Sequence, residues 1–118
     1  MGARTRLAAL LMLAFSGAGA ADAAELVMFK DDGCYYCERW RAEIAPVYGK
    51  TREGQIAPLR VVDKYAPRPA DLNGLGPIPY TPTFVLMEQG HEIGRITGYP
   101  GADHFWGLLG QILGRLPR

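Results

Sequence analysis

The sequence predicts an α/β fold in which a four-stranded mixed sheet carries helices on both faces. Three observations lead to this prediction. Four short apolar runs bounded by turn residues indicate strands, and helical patterns follow the first and the last of these runs. A chain of 118 residues is long enough for one domain. The expected order of elements is β-α-β-(α)-β-β-α, with the strands in the spatial order 2-1-3-4.

The first strand is predicted over residues 26–29, whose side chains are all apolar. The turn residues Asp-Asp-Gly at 31–33 end it. From Cys34 onward the pattern becomes helical, with residues of one face recurring every three or four positions. Pro46 is compatible with this helix if the helix bends or ends near it. The pair Cys34 and Cys37 therefore lies where a strand leads into the first turn of a helix.

The remaining elements are predicted from the same two periods. In chain order they are a polar loop over 49–54, a strand over 59–63, a Pro- and Gly-rich stretch over 66–80 that can hold only a short helix around 70–75, a strand over 83–87, a hairpin turn over 88–91, a strand over 92–97 and an amphipathic helix over 105–116. The strand–helix–strand unit implies a parallel first pair with a right-handed crossover. The hairpin makes the last two strands antiparallel.

The N-terminal residues have the pattern of a secretory signal peptide. Arg4 and Arg6 precede an apolar run over 7–15, and small residues follow it. We predict a signal peptide over residues 1–20, or a cut after residue 23, and a mature domain over residues 21–118. The apolar run is shorter than the roughly 20 residues that span a bilayer. An uncleaved anchor helix is the alternative reading of the same pattern.

Charge excludes one class of partner. Removal of Arg4 and Arg6 leaves 11 of the 13 basic residues against 12 acidic residues, a net charge of −1. No basic stripe remains, so we expect no binding to nucleic acid.

The two cysteines predict redox chemistry. At positions i and i+3 of one helical turn, the sulfurs of Cys34 and Cys37 lie on the same side and can bridge. Cys34 faces the unpaired N–H groups of the helix N-terminus, which favour the thiolate. Cys37 lies one turn deeper, where it suits a resolving thiol. An exported chain whose only cysteines form this pair is suited to thiol–disulfide exchange.

The cysteine pair has two other interpretations. A structural disulfide would close a loop of only four residues, which removes little entropy from the unfolded chain. Half of a zinc site would need two more ligands, and the only candidates, His91 and His104, lack the usual spacing. We therefore predict no metal.

Several stretches together resemble the thioredoxin superfamily, over nearly all of residues 25–116. They are Cys-Tyr-Tyr-Cys at 34–37 after a strand, Tyr-Thr-Pro-Thr-Phe at 80–84 opening a later strand, and Gly-Tyr at 98–99 before a terminal helix. The stretch Gly-Tyr-Pro-Gly, followed by Phe105 and Trp106, is similar to small periplasmic thioredoxins, including those of bacterial sulfur-oxidation (Sox) systems. The resemblance implies that Pro82 is cis and lies against the cysteines.

The resemblance implies a periplasmic thiol–disulfide oxidoreductase that reduces protein disulfides. The site residues that it implies are catalytic Cys34 and Cys37, with Tyr35, Tyr36, Thr81 and Pro82 in substrate binding. The backbone of Thr81 would pair with an extended substrate. We expect no cofactor, a client protein with a disulfide (with sulfur-oxidation proteins as candidates), a membrane thiol carrier as electron donor, and a monomer. A disulfide-introducing oxidant and a non-catalytic binding module are the alternatives.

One position departs from the pattern of many cytosolic thioredoxins. They carry a buried Asp six residues before the first cysteine, and this chain has Met28 there. Proton transfer at Cys37 would then use water or another group, for which Glu38 and Lys64 are the candidates.

Overall fold

The computed structural model describes residue 2 and residues 23–117. The predicted signal peptide therefore lies, apart from residue 2, outside the described residues. The elements are β1 (Glu25–Lys30), α1 (Tyr35–Glu43), α2 (Ala45–Tyr48), α3 (Arg52–Ile56), β2 (Leu59–Asp63), a 3₁₀ helix (Ala70–Leu72), β3 (Thr83–Glu88), β4 (His91–Thr97) and α4 (Ala102–Leu113). No helix in this described part of the chain is long and apolar enough to cross a membrane.

The four strands form one mixed sheet in the order β2-β1-β3-β4, which confirms the predicted order. β1 pairs with β2 in parallel and with β3 antiparallel, and β3 and β4 form an antiparallel hairpin. The central strand β1 is buried along four consecutive residues. This explains its continuous apolar sequence, because a strand covered on both faces has no solvent side to make polar.

Each face of the sheet carries its own buried cluster. On one face, Leu26 and Met28 of β1 pack with aromatic rings from the helices, among them Trp40 of α1 and Phe105 of α4. The ring centroids of Trp40 and Phe105 lie 5.8 Å apart in an edge-to-face arrangement. On the other face, the alternate residues of β1 pack against the 3₁₀ helix and its flanking loop through Leu72, which is fully buried.

Helix α4 approaches the sheet closely at Gly94 of β4. A Cβ atom at this position would lie 2.8 Å from Cγ2 of Ile112 and 3.1 Å from its Cβ. Glycine therefore lets the apolar face of α4, which includes Leu109, lie directly on β4.

The structure corrects the prediction in the middle of the chain. The sequence predicts a loop over residues 49–54, but α3 begins at Arg52. The Thr51 hydroxyl caps this helix by accepting a hydrogen bond from the Gly54 N–H at 3.0 Å. The helix of the cysteine pair ends at Glu43, and α2 starts anew at Ala45, with Pro46 in its first turn.

The helices around residues 70–75 and 105–116 also have different bounds. The first is a single 3₁₀ turn that ends at Leu72. The last, α4, begins three residues earlier than predicted and ends at Leu113, so Leu116 follows the helix.

Candidate active site at the Cys34–Cys37 disulfide

The two cysteines are joined by a disulfide at the start of α1, with their Cα atoms 5.2 Å apart. Cys34 is the N-cap residue of α1, and its sulfur accepts a hydrogen bond from the Cys37 N–H at 3.1 Å. Cys34 is half-buried, whereas Cys37 is only 1 % exposed. One sulfur therefore borders the solvent at a helix N-terminus and the other is covered, as the helical spacing predicts.

A tight turn brings the chain from β1 to this position. Gly33 has a φ of +75°, a conformation that side chains rarely adopt. The Cys34 N–H donates to the Asp31 carbonyl at 3.3 Å and closes the turn. The Asp-Asp-Gly sequence thus allows α1 to begin at Tyr35, five residues after β1 ends at Lys30.

The charged groups next to the pair are largely engaged with one another. The Lys30 ammonium lies 3.3 Å from an Asp32 carboxylate oxygen and 3.6 Å from one of Asp63. The hydrogen bond from its ammonium to Asp32 is the main reason why the pKa of Lys30 is raised. The pKa of Asp63 is lowered, mainly by the backbone N–H of Tyr65 and further by Lys30. These charges compensate each other, and the hydrogen bond donated to the Cys34 sulfur comes from the backbone.

The register of the sheet brings Pro82 to the same edge as the cysteines. Thr83, the first residue of β3, pairs with Phe29, one residue before β1 ends. The peptide bond between Thr81 and Pro82 is cis. Pro82 is buried and Thr81 is half-buried. Because Thr81 lies two residues beyond the last paired residue of β3, its main chain is outside the ladder of the sheet.

Tyr35 and Tyr36, between the two cysteines, are among the most exposed aromatic side chains of the described residues. Tyr35 is 68 % exposed and Tyr36 is 50 % exposed. Their rings meet edge to face, with centroids 5.2 Å apart. Both rings therefore border the solvent beside Cys34 instead of joining the core.

Two further exposed tyrosines lie at this edge, and the sequence analysis did not identify them as site residues. Tyr65 is 72 % exposed and Tyr80 is 66 % exposed. The loops that carry them are joined because the Lys64 ammonium donates to the Pro79 carbonyl at 2.8 Å and lies 5.3 Å from the Tyr65 ring centroid. The Lys64 N–H also donates to the carbonyl of Lys30, at the end of β1. The signal that could have found them is an aromatic residue in a loop directly after β2 or directly before Thr-Pro.

The candidates for proton transfer at Cys37 have other partners. Glu38 is exposed and lies 3.6 Å from Arg41, and Lys64 binds Pro79. A role for Glu38 or Lys64 stays a prediction. Met28 is fully buried in the core. Among the residues that the structure describes, no group of three or more His, Cys, Asp or Glu side chains is arranged to hold a metal ion.

The sheet order, the disulfide at the start of a helix and the cis Thr81–Pro82 bond at the same edge define a thioredoxin-like protein. A family model of the Thioredoxin-like domain matches residues 13–113. The chain belongs to this family, and with its disulfide-bonded C-x-x-C pair it is a thiol–disulfide oxidoreductase.

The chain is similar to the periplasmic thioredoxin SoxS from Paracoccus pantotrophus, whose crystal structure is of the reduced form. The two are 46% identical, the match covers 80% of this chain and 99% of that chain, and the TM-score is 0.77. The chain is therefore similar to SoxS over nearly the whole of that protein.

Two more distant structures share the fold. The Malassezia sympodialis thioredoxin Mala s 13 is 22% identical, with 76% of this chain and 77% of that chain covered and a TM-score of 0.52. The Chlamydomonas reinhardtii thioredoxin f2 is 20% identical, with 82% and 83% covered and a TM-score of 0.58. No curated protein matches the chain.

Proposed function

We propose that this protein is a periplasmic reductase of protein disulfides, with Cys34 as the nucleophile and Cys37 as the resolving thiol. The observation that carries the proposal is the position of Cys34, whose half-buried sulfur accepts the Cys37 N–H at the N-terminus of α1. After reduction of the disulfide, the same N–H and the helix dipole would stabilise the Cys34 thiolate, the form that attacks disulfides.

The reaction consists of two exchanges that transfer two electrons. The Cys34 thiolate attacks one sulfur of the client disulfide, forms a mixed disulfide and releases the other client sulfur as a thiolate. The Cys37 thiolate then attacks the Cys34 sulfur, which closes the Cys34–Cys37 disulfide and releases the second client thiol. The client is reduced and the protein is oxidised. A membrane thiol carrier would return the two electrons and so complete the cycle.

The client would bind along the edge that carries Thr81 and Pro82. The main chain of Thr81 lies beyond the ladder of β3, which supports pairing with an extended segment of the client. Buried Pro82 would shape the wall of this groove. The exposed rings of Tyr35 and Tyr36 would tune access to Cys34, because large and rigid aromatic side chains favour binding when a partner covers them.

The cellular assignment draws on the SoxS neighbour, which is a periplasmic thioredoxin. We infer that residues 1–20 are a signal peptide, that residues 21–118 form the mature domain, and that the protein acts as a monomer in the periplasm without a metal or organic cofactor. Similarity to SoxS supports a client among sulfur-oxidation proteins. Cell fractionation with an antibody to the mature domain would test the location.

The proposed function predicts that substitutions of Cys34 and of Cys37 stop the reaction at different steps. Chemically reduced wild-type protein should reduce the disulfides of insulin. Cys34→Ser should abolish this activity because no nucleophile remains, while Cys37→Ser should stop after the first exchange and accumulate a mixed disulfide. The measurement is insulin reduction by turbidity, together with non-reducing gels of the Cys37→Ser protein.

The client can be identified with the same variant in the native periplasm. Cys37→Ser should retain a covalently bound protein that a reductant releases, and the double variant Cys34→Ser/Cys37→Ser is the matched control. A protein that neither turns over insulin nor retains a client would be a binding module. Rapid oxidation of reduced client proteins, without reduction of oxidised ones, would point to a disulfide-introducing oxidant.

A further inference from the structure

We propose that Tyr99 and Glu43 are positioning residues that hold Pro82 in place relative to the cysteine pair. Tyr99 belongs to the loop between β4 and α4, and Glu43 is the last residue of α1. The inference rests on the proposed function, because it concerns the groove in which the client would bind.

The first link joins this loop to the helix of the cysteines. The Tyr99 hydroxyl donates to Oε2 of Glu43 at 2.6 Å, across 56 positions of the sequence. Tyr99 is only 4 % exposed, and its ring packs edge to face against Phe105 with centroids 6.1 Å apart. A buried ring with a charge-assisted hydrogen bond at its tip has little freedom to move.

Arg39 fixes the carboxylate that receives this bond. Its Nε and Nη2 atoms donate to Oε1 of Glu43 at 3.1 and 3.0 Å, one turn along α1. Its guanidinium carbon also lies 5.9 Å from the centroid of the Tyr99 ring. The pKa of Glu43 is lowered, first by the hydrogen bond from Tyr99 and then by that from Arg39. Glu43 is thus a charged acceptor with one oxygen for each partner.

The second link joins the loop to Pro82. Gly98, next to Tyr99, donates its N–H to the Pro82 carbonyl at 2.7 Å. Gly98 has a φ of +84°, a conformation that favours glycine. The path from α1 to Pro82 therefore runs through Glu43, Tyr99 and Gly98.

This path has a consequence for specificity. A protein client must contact Cys34 and the Thr81–Pro82 segment together, so its binding depends on the distance between them. A small disulfide needs only the sulfur of Cys34. Loss of the Tyr99–Glu43 bond should therefore weaken binding of a protein substrate and leave the reaction with a small disulfide intact.

The test is Tyr99→Phe, which keeps the buried ring and removes the hydroxyl. With dithiothreitol as the reductant that regenerates the dithiol after each turnover, we expect KM for insulin to rise about 3- to 10-fold while kcat changes less than about 2-fold. The rate with 5,5′-dithiobis(2-nitrobenzoate), a small disulfide, should stay within about 2-fold of wild type. Exchange of the Gly98 amide hydrogen, followed by NMR, should become faster because its loop is no longer held.

Four further variants complete the test. Glu43→Ala should reproduce the effect of Tyr99→Phe, and Glu43→Gln should preserve most of the wild-type KM because its amide oxygen still accepts the Tyr99 hydroxyl. The double variant Tyr99→Phe/Glu43→Ala should add little to either single change, because both remove one bond. Arg41→Ala, which removes an exposed charged side chain of the same helix, is the matched control and should behave as wild type.

Two results would overturn the inference while leaving the proposed function intact. One is an equal loss of rate with insulin and the small disulfide, which would indicate a general effect on the fold or on Cys34. The other is an unchanged KM and unchanged exchange of the Gly98 amide in Tyr99→Phe. If wild-type protein fails to reduce insulin, the proposed function fails, and the role in client binding fails with it.

Discussion

Tyr99 combines a buried ring with a hydroxyl that faces a carboxylate. Burial is the main reason why its pKa is raised to about 12, and the hydrogen bond to Glu43 raises it further. A phenol whose pKa is higher in the folded state stabilises the fold at every pH below its unfolded value of about 10. That contribution is lost as the pH rises through about 12.

This predicts a specific alkaline titration. Subtraction of the absorbance titration of Tyr99→Phe from that of wild type at 295 nm should isolate one phenol that ionises near pH 12. A step near pH 10, the ordinary value for a tyrosine, would contradict the buried hydrogen bond. Tyr35→Phe is the control, because it removes an exposed ring at the same edge as Cys34.

At the scale of residues, the sequence was informative where one short motif carries the chemistry. Cys34 and Cys37 could be found because their spacing and the preceding turn are local features. The hydrogen bond of Tyr99 could not be predicted, because its partner Glu43 lies 56 positions away in the sequence. Exposed Tyr65 was missed for a similar reason, since only the folded chain brings its loop beside the one before Pro82.

The contact between α4 and β4 depends on a missing side chain. Gly94→Ala should destabilise the protein by about 1–3 kcal/mol, because the new methyl group would overlap Ile112 in a packed interface. Gly107→Ala in α4 is the matched control. Position 107 has open space around it, so alanine should stabilise the helix by about 0.4–1 kcal/mol.

Urea denaturation followed by circular dichroism at 222 nm would measure both changes. Opposite shifts of the midpoint are expected for the two variants, with the slope unchanged. Equal shifts would indicate that the response reflects glycine content and not the approach of α4 to β4.

At the scale of elements, the strands could be predicted because their apolar runs and turns are local. Helix α3 could not be predicted, because Gly54 lowers the helix propensity of this stretch. The cap formed by Thr51 is therefore not evident from the sequence. The structure also explains why glycine is needed there. A Cβ at position 54 would lie 1.9 Å from the Tyr48 carbonyl oxygen.

Among the described residues, four carboxylates on different elements and loops have lowered pKa values. A hydrogen bond is the main cause at each carboxylate. The donor–acceptor pairs are Tyr99 to Glu43, Arg60 to Asp71, Arg95 to Glu92, and the backbone N–H of Tyr65 to Asp63. A carboxyl group whose pKa is lower in the folded state stabilises the fold above its unfolded value of about 4. This stability is lost as the pH falls through the lower folded values.

We therefore expect the urea midpoint of the wild-type protein to be similar at about pH 7 and about pH 6. It should fall steeply between about pH 4, the ordinary carboxyl pKa, and about pH 2. Asp71→Asn should reduce this fall, because Arg60 then loses a titrating partner. A midpoint that rises on acidification would show that the sign of these pKa shifts is wrong.

At the scale of the molecule, the topology followed from the order of local elements, since a strand–helix–strand unit and a hairpin allow few arrangements. The cover of the second face was less predictable. The stretch 66–80 has no strong period, and it covers the sheet through single residues such as Leu75 and Ile78. Their burial depends on where β2, the parallel strand before this stretch, ends and the chain leaves the sheet.

The direction of β1 also matters for experiments on the intact protein. Residue 23 precedes the end of β1 that lies opposite the disulfide, and the six residues of the strand extend roughly 20 Å at about 3.3 Å per residue. An affinity tag joined ahead of residue 23 would thus be attached near the N-terminal end of β1, whereas Cys34 follows its C-terminal end. Beads that hold the protein by such a tag should leave the reactive sulfur open to macromolecules in solution.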